Sequence, residues 1–140
     1  MKVSILKHVD FENPGYYLEY FIKKEYEVTI HKLYEGDKPD DNADIILVLG
    51  GPMNIYEEEK YPFLKDEKEY ISKSIKEGKK VIGICLGSQI IADVLGSKVY
   101  KNKYREIGWF PILKSQSGIM GFLPDIATVL NWHGDTYDLP

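Results

Sequence analysis

Apolar positions along this chain switch between two periods. Val3, Ile5 and Leu6 mark a short strand-like run over residues 3–6, and after Pro14-Gly15 the residues Tyr17, Leu18, Phe21 and Ile22 recur at helical spacing. Residues 26–30 return to alternation, and the Gly, Asp, Pro and Asn of residues 36–42 predict an exposed loop. Asp44 followed by Ile45, Ile46, Leu47, Val48 and Leu49 reads as a parallel strand covered on both faces, stopped by Gly50-Gly51-Pro52. Residues 63–76 carry Leu64, Ile71 and Ile75 on one face among many Lys and Glu, an amphipathic helix closed by Gly78. A second buried strand follows over residues 80–84, then a helix over 88–95 marked by Ile90, Ile91, Val94 and Leu95 and capped by Gly96. Residues 98–100, 106–113 and 127–132 read as strands, with loops at 101–105 and 114–125.

Strands alternating with helices imply an α/β fold with a doubly wound, mostly parallel sheet, whose ligands collect at the carboxyl ends of its strands. A chain of 140 residues suits one domain, and no internal repeat or linker divides it. Function is therefore expected just after Leu49 and just after Ile84.

Composition narrows the partners. Apolar residues make up 44% and charged residues 29%, a globular balance. A net charge of −4 supplies no basic field for nucleic acid or an anionic membrane, and no apolar stretch is long and unbroken enough to span a bilayer. One cysteine and three histidines form no spaced cluster for a structural metal, so neither metal nor cofactor is expected. Lys7, His8 and Asp10 break the first apolar run before a signal-peptide core could form, and a reducing cytoplasm fits best.

Gly83-Ile84-Cys85-Leu86-Gly87 joins a buried strand to a helix, the context of a nucleophile elbow with Cys in place of Ser. At a helix N-terminus, free N–H groups and the dipole are expected to favour thiolate over thiol. A lone cysteine is most often a small buried hydrophobe; the two glycines and the strand-to-helix position weigh against that here. Gly50-Gly51-Pro52 alone would simply end a strand. Beside an elbow, its N–H groups and that of Leu86 could together hold an oxyanion.

These residues resemble a known family, the class I glutamine amidotransferases, most closely the branch similar to the amidotransferase part of guanosine monophosphate synthase. The resemblance is carried by Gly50-Gly51-Pro52-Met53, the elbow extended through Ser88-Gln89, Glu106-Ile107-Gly108-Trp109, and the segment from Trp132 to Pro140 containing His133-Gly134-Asp135. It implies a flavodoxin-like fold over residues 1–140, as the N-terminal part of a domain that lacks its last strands. It also implies a glutamyl thioester on Cys85, with ammonia released and water then freeing glutamate. Gly51 and Leu86 would supply the oxyanion-hole N–H groups, and Gln89, His133, Gly134 and Asp135 would hold glutamine. A synthetase or other ammonia acceptor would be the partner.

The family's catalytic histidine and its orienting carboxylate, a His-x-Glu pair, have no counterpart in this sequence. His8 and His31 precede the elbow and read as surface or strand-end residues. His133-Gly134-Asp135, at the end of a predicted strand, mimics the spacing and could serve as base and orienter; it matches a substrate-loop segment of the family, and Asp is one methylene shorter than Glu, which favours the substrate-loop role. Turnover by these residues alone is therefore expected to be weak or absent, with Cys85 still alkylatable. An open sheet edge is expected to promote self-association. The rival readings are a γ-glutamyl hydrolase-like thiol hydrolase and a non-catalytic glutamine-binding or regulatory homologue. A dinucleotide-binding protein ranks last, because no G-x-G-x-x-G follows the first strand.

Overall fold

β-branched and leucine-rich runs form four short strands: β1 (Lys2–Lys7), β2 (Glu27–Lys32), β3 (Ile45–Val48) and β4 (Lys80–Gly83). The computed structural model of the chain describes residues 1–114 and 124–140. The strands lie in the order β2-β1-β3-β4, every pair parallel, with Val3 opposite Ile45 and Val48 opposite Gly83. Three helices, α1 (Tyr16–Lys23), α2 (Phe63–Lys76) and α3 (Leu86–Val94), alternate with the strands as expected for parallel pairing. A 3₁₀ turn at Leu33–Glu35, ended by Gly36 at φ 94°, was not foreseen, because so short a turn has no periodicity.

Strand alternation divides the core between the two faces of this sheet. Val3, Ile5, Ile45, Leu47 and Leu49 point to one face and pack with Phe21 of α1. Leu6, Ile46 and Val48 point to the other and pack with Leu64, Tyr70 and Ile71 of α2 and with Leu86 and Ile90 of α3. Helices on both sides explain why Ile45 to Val48 are all buried and why they carry no alternating pattern. Lys68 fastens the second face, its Nζ lying 2.8 Å from Glu58 and 3.1 Å from Asp93 of α3.

The described residues fall into two compact units, this parallel α/β unit and a second spanning Tyr100–Thr136. In the second, β5 (Val99–Leu113) and β6 (Ile126–Tyr137) pair only with each other. β5 passes straight through residues 101–105, where the sequence indicates a loop. Pairing satisfies the backbone there, while Lys101, Lys103, Tyr104 and Arg105 remain exposed, so no buried alternation marks the strand. β6 likewise extends past residue 132, which places His133 inside a strand instead of at its end. Of the loop expected at 114–125, Lys114 and Asp125 close the strand pair through a 3.0 Å backbone bond, and residues 115–123 lie outside the described residues.

Ile90 is fully buried where α3 meets α2 and β3. Ile90→Ala is expected to lower unfolding free energy by about 3 kcal/mol in urea denaturation, the usual effect of such a cavity.

Candidate active site

The turn between β4 and α3 is governed by how closely two backbones pass. A Cβ on Gly83 would stand 2.5 Å from the Gly87 carbonyl carbon, and one on Gly87 would strike the Val48 carbonyl oxygen. Only glycine permits both approaches. The compression leaves Cys85 at φ 50°, ψ −110°, the N-cap of α3 and one of two non-glycine residues at positive φ among those described. Strain of this kind collects at functional turns. Ser88 Oγ donates to the Cys85 carbonyl at 2.7 Å and helps hold the turn.

Cys85 keeps an exposed face. Partial burial of its thiol nevertheless pushes the pKa up; the Leu86 N–H opposes this, and the negative charge of Glu12 adds to it. The expectation that the helix N-terminus leaves the thiol more acidic is thus corrected: one N–H group does not outweigh burial and a neighbouring carboxylate. Glu12 was missed in the sequence because it lies on an irregular loop. Lys7 holds that loop through a 2.8 Å bond to Asn13 and lies 3.8 Å from Asp10. A Cβ on Gly50 would lie 2.5 Å from Glu12 Oε2 and 3.5 Å from Cys85 Cβ, so carboxylate and cysteine flank the same backbone atom.

Gly50, Gly51 and Pro52 follow β3 at the carboxyl edge of the sheet, where Leu49 N–H is bonded to the Leu6 carbonyl. A Cβ on Gly51 would sit 2.9 Å from Leu86 Cδ2 and 3.2 Å from His8 Cβ. The structure therefore brings Gly51, Leu86 and Cys85 together. Gln89, one turn into α3, is buried, and its N–H donates to the Cys85 carbonyl at 3.2 Å.

His8 stands directly at the end of β1, as the strand-end reading has it, but is not on the surface: it is fully buried, as is Glu67 of α2. Its Nε2 lies 2.8 Å from Glu67 Oε1 and its Nδ1 2.8 Å from the Gly50 carbonyl oxygen. Phe63 stacks on the imidazole, with ring centroids 6.1 Å apart. Burial pulls the His8 pKa down, but the Glu67 hydrogen bond and charge, the Gly50 carbonyl and the charge of Glu12 outweigh it and leave the pKa raised. The signal for this pair was present in the sequence. His8 continues the inward alternation of Ser4 and Leu6, and Glu67 falls on the apolar stripe between Leu64 and Ile71. His31 is also buried, and burial lowers its pKa.

His133, Gly134 and Asp135 lie on β6 in the second unit. There His133 Nε2 lies 3.1 Å from Glu106 Oε2 of β5, and Arg105 passes 3.6 Å from the Cβ position of Gly134. No cluster able to hold a metal occurs among the described residues.

A family model described as glutamine amidotransferase class-I matches residues 9–139. A crystal structure of a glutamine amidotransferase from Thermotoga maritima superposes with a TM-score of 0.93 at 40% identity, covering 99% of this chain and 63% of that one. A glutamine amidotransferase-like protein of Salmonella typhimurium is 32% identical over 96% of this chain and 61% of its own length. The glutamine-hydrolyzing GMP synthase of Geobacillus kaustophilus is 36% identical over 71% of this chain and 18% of its own. This chain thus spans less than two thirds of each.

Two pH effects are expected. Glu12→Gln removes a negative charge beside the thiol and should move the pH profile of Cys85 alkylation by iodoacetamide to lower pH; an unmoved profile would place the carboxylate out of electrostatic reach. A raised His8 pKa stabilises the fold fully below the ordinary value of 6.5, and this contribution disappears as pH rises through the folded-state value. The thermal midpoint should fall over that interval in the wild type, with a shallower slope in Glu67→Gln.

Proposed function

The chain belongs to the glutamine amidotransferase class-I family, matched over residues 9–139, and from that premise we propose that Cys85 attacks the side-chain amide of glutamine. Sγ bonds to the amide carbon, the tetrahedral intermediate expels ammonia, and water cleaves the resulting thioester to give glutamate and the free thiol. The observation carrying this reading is Cys85 at positive φ on the N-terminus of α3, beside Gly51 and Leu86. Their N–H groups receive the oxyanion, which needs donors fixed before charge develops. Gln89 binds the substrate next to the elbow. His133, Gly134 and Asp135 are assigned to holding its amino-acid head group, by resemblance to the family's corresponding segment.

Ammonia then passes to an acceptor that this chain does not identify. Kinship with glutamine-hydrolyzing GMP synthases supports a synthetase as the acceptor's site. No His-x-Glu pair occurs in these 140 residues, and the raised thiol pKa makes deprotonation harder. A single covalent event at Cys85 does not depend on such a pair.

Intact-mass spectrometry after incubation with a glutamine-analogue electrophile tests the pocket without requiring turnover. One adduct is expected, absent from Cys85→Ala and suppressed by free glutamine. A glutamine-induced rise in melting temperature without any adduct would favour a binding homologue. An adduct that γ-glutamyl peptides suppress better than glutamine does would favour a γ-glutamyl hydrolase.

A further inference from the structure

The Gly50 carbonyl and the Gly51 N–H belong to one peptide group. A peptide is planar and trans, so its C=O and N–H point in opposite directions, and whatever fixes one fixes the other. Flanking glycines alone would leave that plane nearly free to rotate. The single described partner of the Gly50 carbonyl is His8 Nδ1 at 2.8 Å. A carbonyl can only accept, so Nδ1 carries the proton. The imidazole is in turn fixed by Glu67 at 2.8 Å and by the Phe63 ring, all from α2.

We propose that the buried His8–Glu67 pair is the positioning device of the oxyanion hole: it grips the Gly50 carbonyl from inside the core and thereby turns the Gly51 N–H outward, toward the side of the turn occupied by Leu86 and Cys85. The inference rests on Gly51 acting as an oxyanion donor, as proposed above. It assigns a role to residues outside every motif that carries the family resemblance. A further argument supports it: both members of the pair are fully buried, and such pairs add little net stability, so what they contribute is geometry. Donation to the Gly50 oxygen also polarises the peptide, which makes its N–H a stronger donor. The His8 imidazole meets the Gly50 carbonyl, Glu67 and Phe63, so its assigned role is positioning, exerted through this peptide plane.

The test separates chemistry that needs an oxyanion from chemistry that does not. Acylation of Cys85 by an activated γ-glutamyl ester passes through a tetrahedral intermediate, whereas alkylation by iodoacetamide is a direct displacement at the same sulfur. Both are read by intact mass on the full chain, without need of turnover. In His8→Gln the side-chain amide keeps a group near Glu67 but loses the Nδ1 donor; acylation should slow about tenfold or more relative to alkylation, less than the loss of a whole donor. In His8→Asn the amide nitrogen takes the place of Nδ1 and the ratio should largely recover. A purely structural role would slow both reactions together in both variants, or leave the ratio unchanged, and either result overturns the proposal. Should either variant fail to fold, Glu67→Gln, which removes the charge but keeps a polar partner, is expected to lower the ratio severalfold, and an unchanged ratio there overturns it as well. If the wild type itself is not acylated at Cys85, the reading of the site fails separately. The Gly51 amide resonance then decides the positioning claim: it should move in His8→Gln and return in His8→Asn, and a resonance fixed in both would refute the grip.

Discussion

The site depends on the absence of one side chain. Helix α3 begins where it does because Gly87 lets its first turn rest on the Val48 carbonyl, and a Cβ there would collide with the backbone of the central strand. That approach sets the depth of the helix against the sheet, and the depth sets the turn. Cys85 is forced to positive φ, its carbonyl is taken by Ser88 and Gln89, and its side chain is left at the carboxyl edge beside the loop that follows β3. Burial on both sheet faces supplies the rigidity against which such a turn can be held. Ile45 to Val48 contribute no chemistry, yet they determine where Gly50 and Gly51 emerge.

A second constraint is polar and lies beneath the first. A histidine and a glutamate face each other with no exposure to solvent on the inner side of the loop that ends β3. Buried pairs of this kind contribute little net stability, because desolvation offsets their attraction, and they are best understood by what geometry they impose. Here they hold a backbone carbonyl in a loop that opens with two glycines, residues with little conformational preference of their own. The core thus reaches the reactive edge through hydrogen bonds in a place where packing alone would have little to grip.

Most of the parallel unit could be read from the sequence because its signals are local. The aliphatic run before Gly50, the glycine-flanked cysteine and the stripe of Leu64, Ile71 and Ile75 each depend on neighbours within a few positions. The strand through residues 101–105 could not be read, because its side chains there are mostly exposed and do not alternate between apolar and polar. His8 and Glu67 are 59 positions apart. Each was legible as inward-facing, but their meeting depends on α2 crossing over the end of β1, which no local pattern encodes. Glu12 was hidden for a different reason: its importance comes from the thiol it faces, not from its own surroundings. Burial of the thiol, with that carboxylate adding to it, reversed the expected direction of the thiol's acidity.

That carboxylate has a consequence for the molecule at rest. A neutral thiol reacts sluggishly with peroxides and disulfides, since those reagents are attacked by the thiolate. Partial burial of the sulfur, and Glu12 less strongly, hold the Cys85 pKa up, so less of the thiolate that oxidants meet is present. The surroundings that make the cysteine a poorer nucleophile also make it a poorer target.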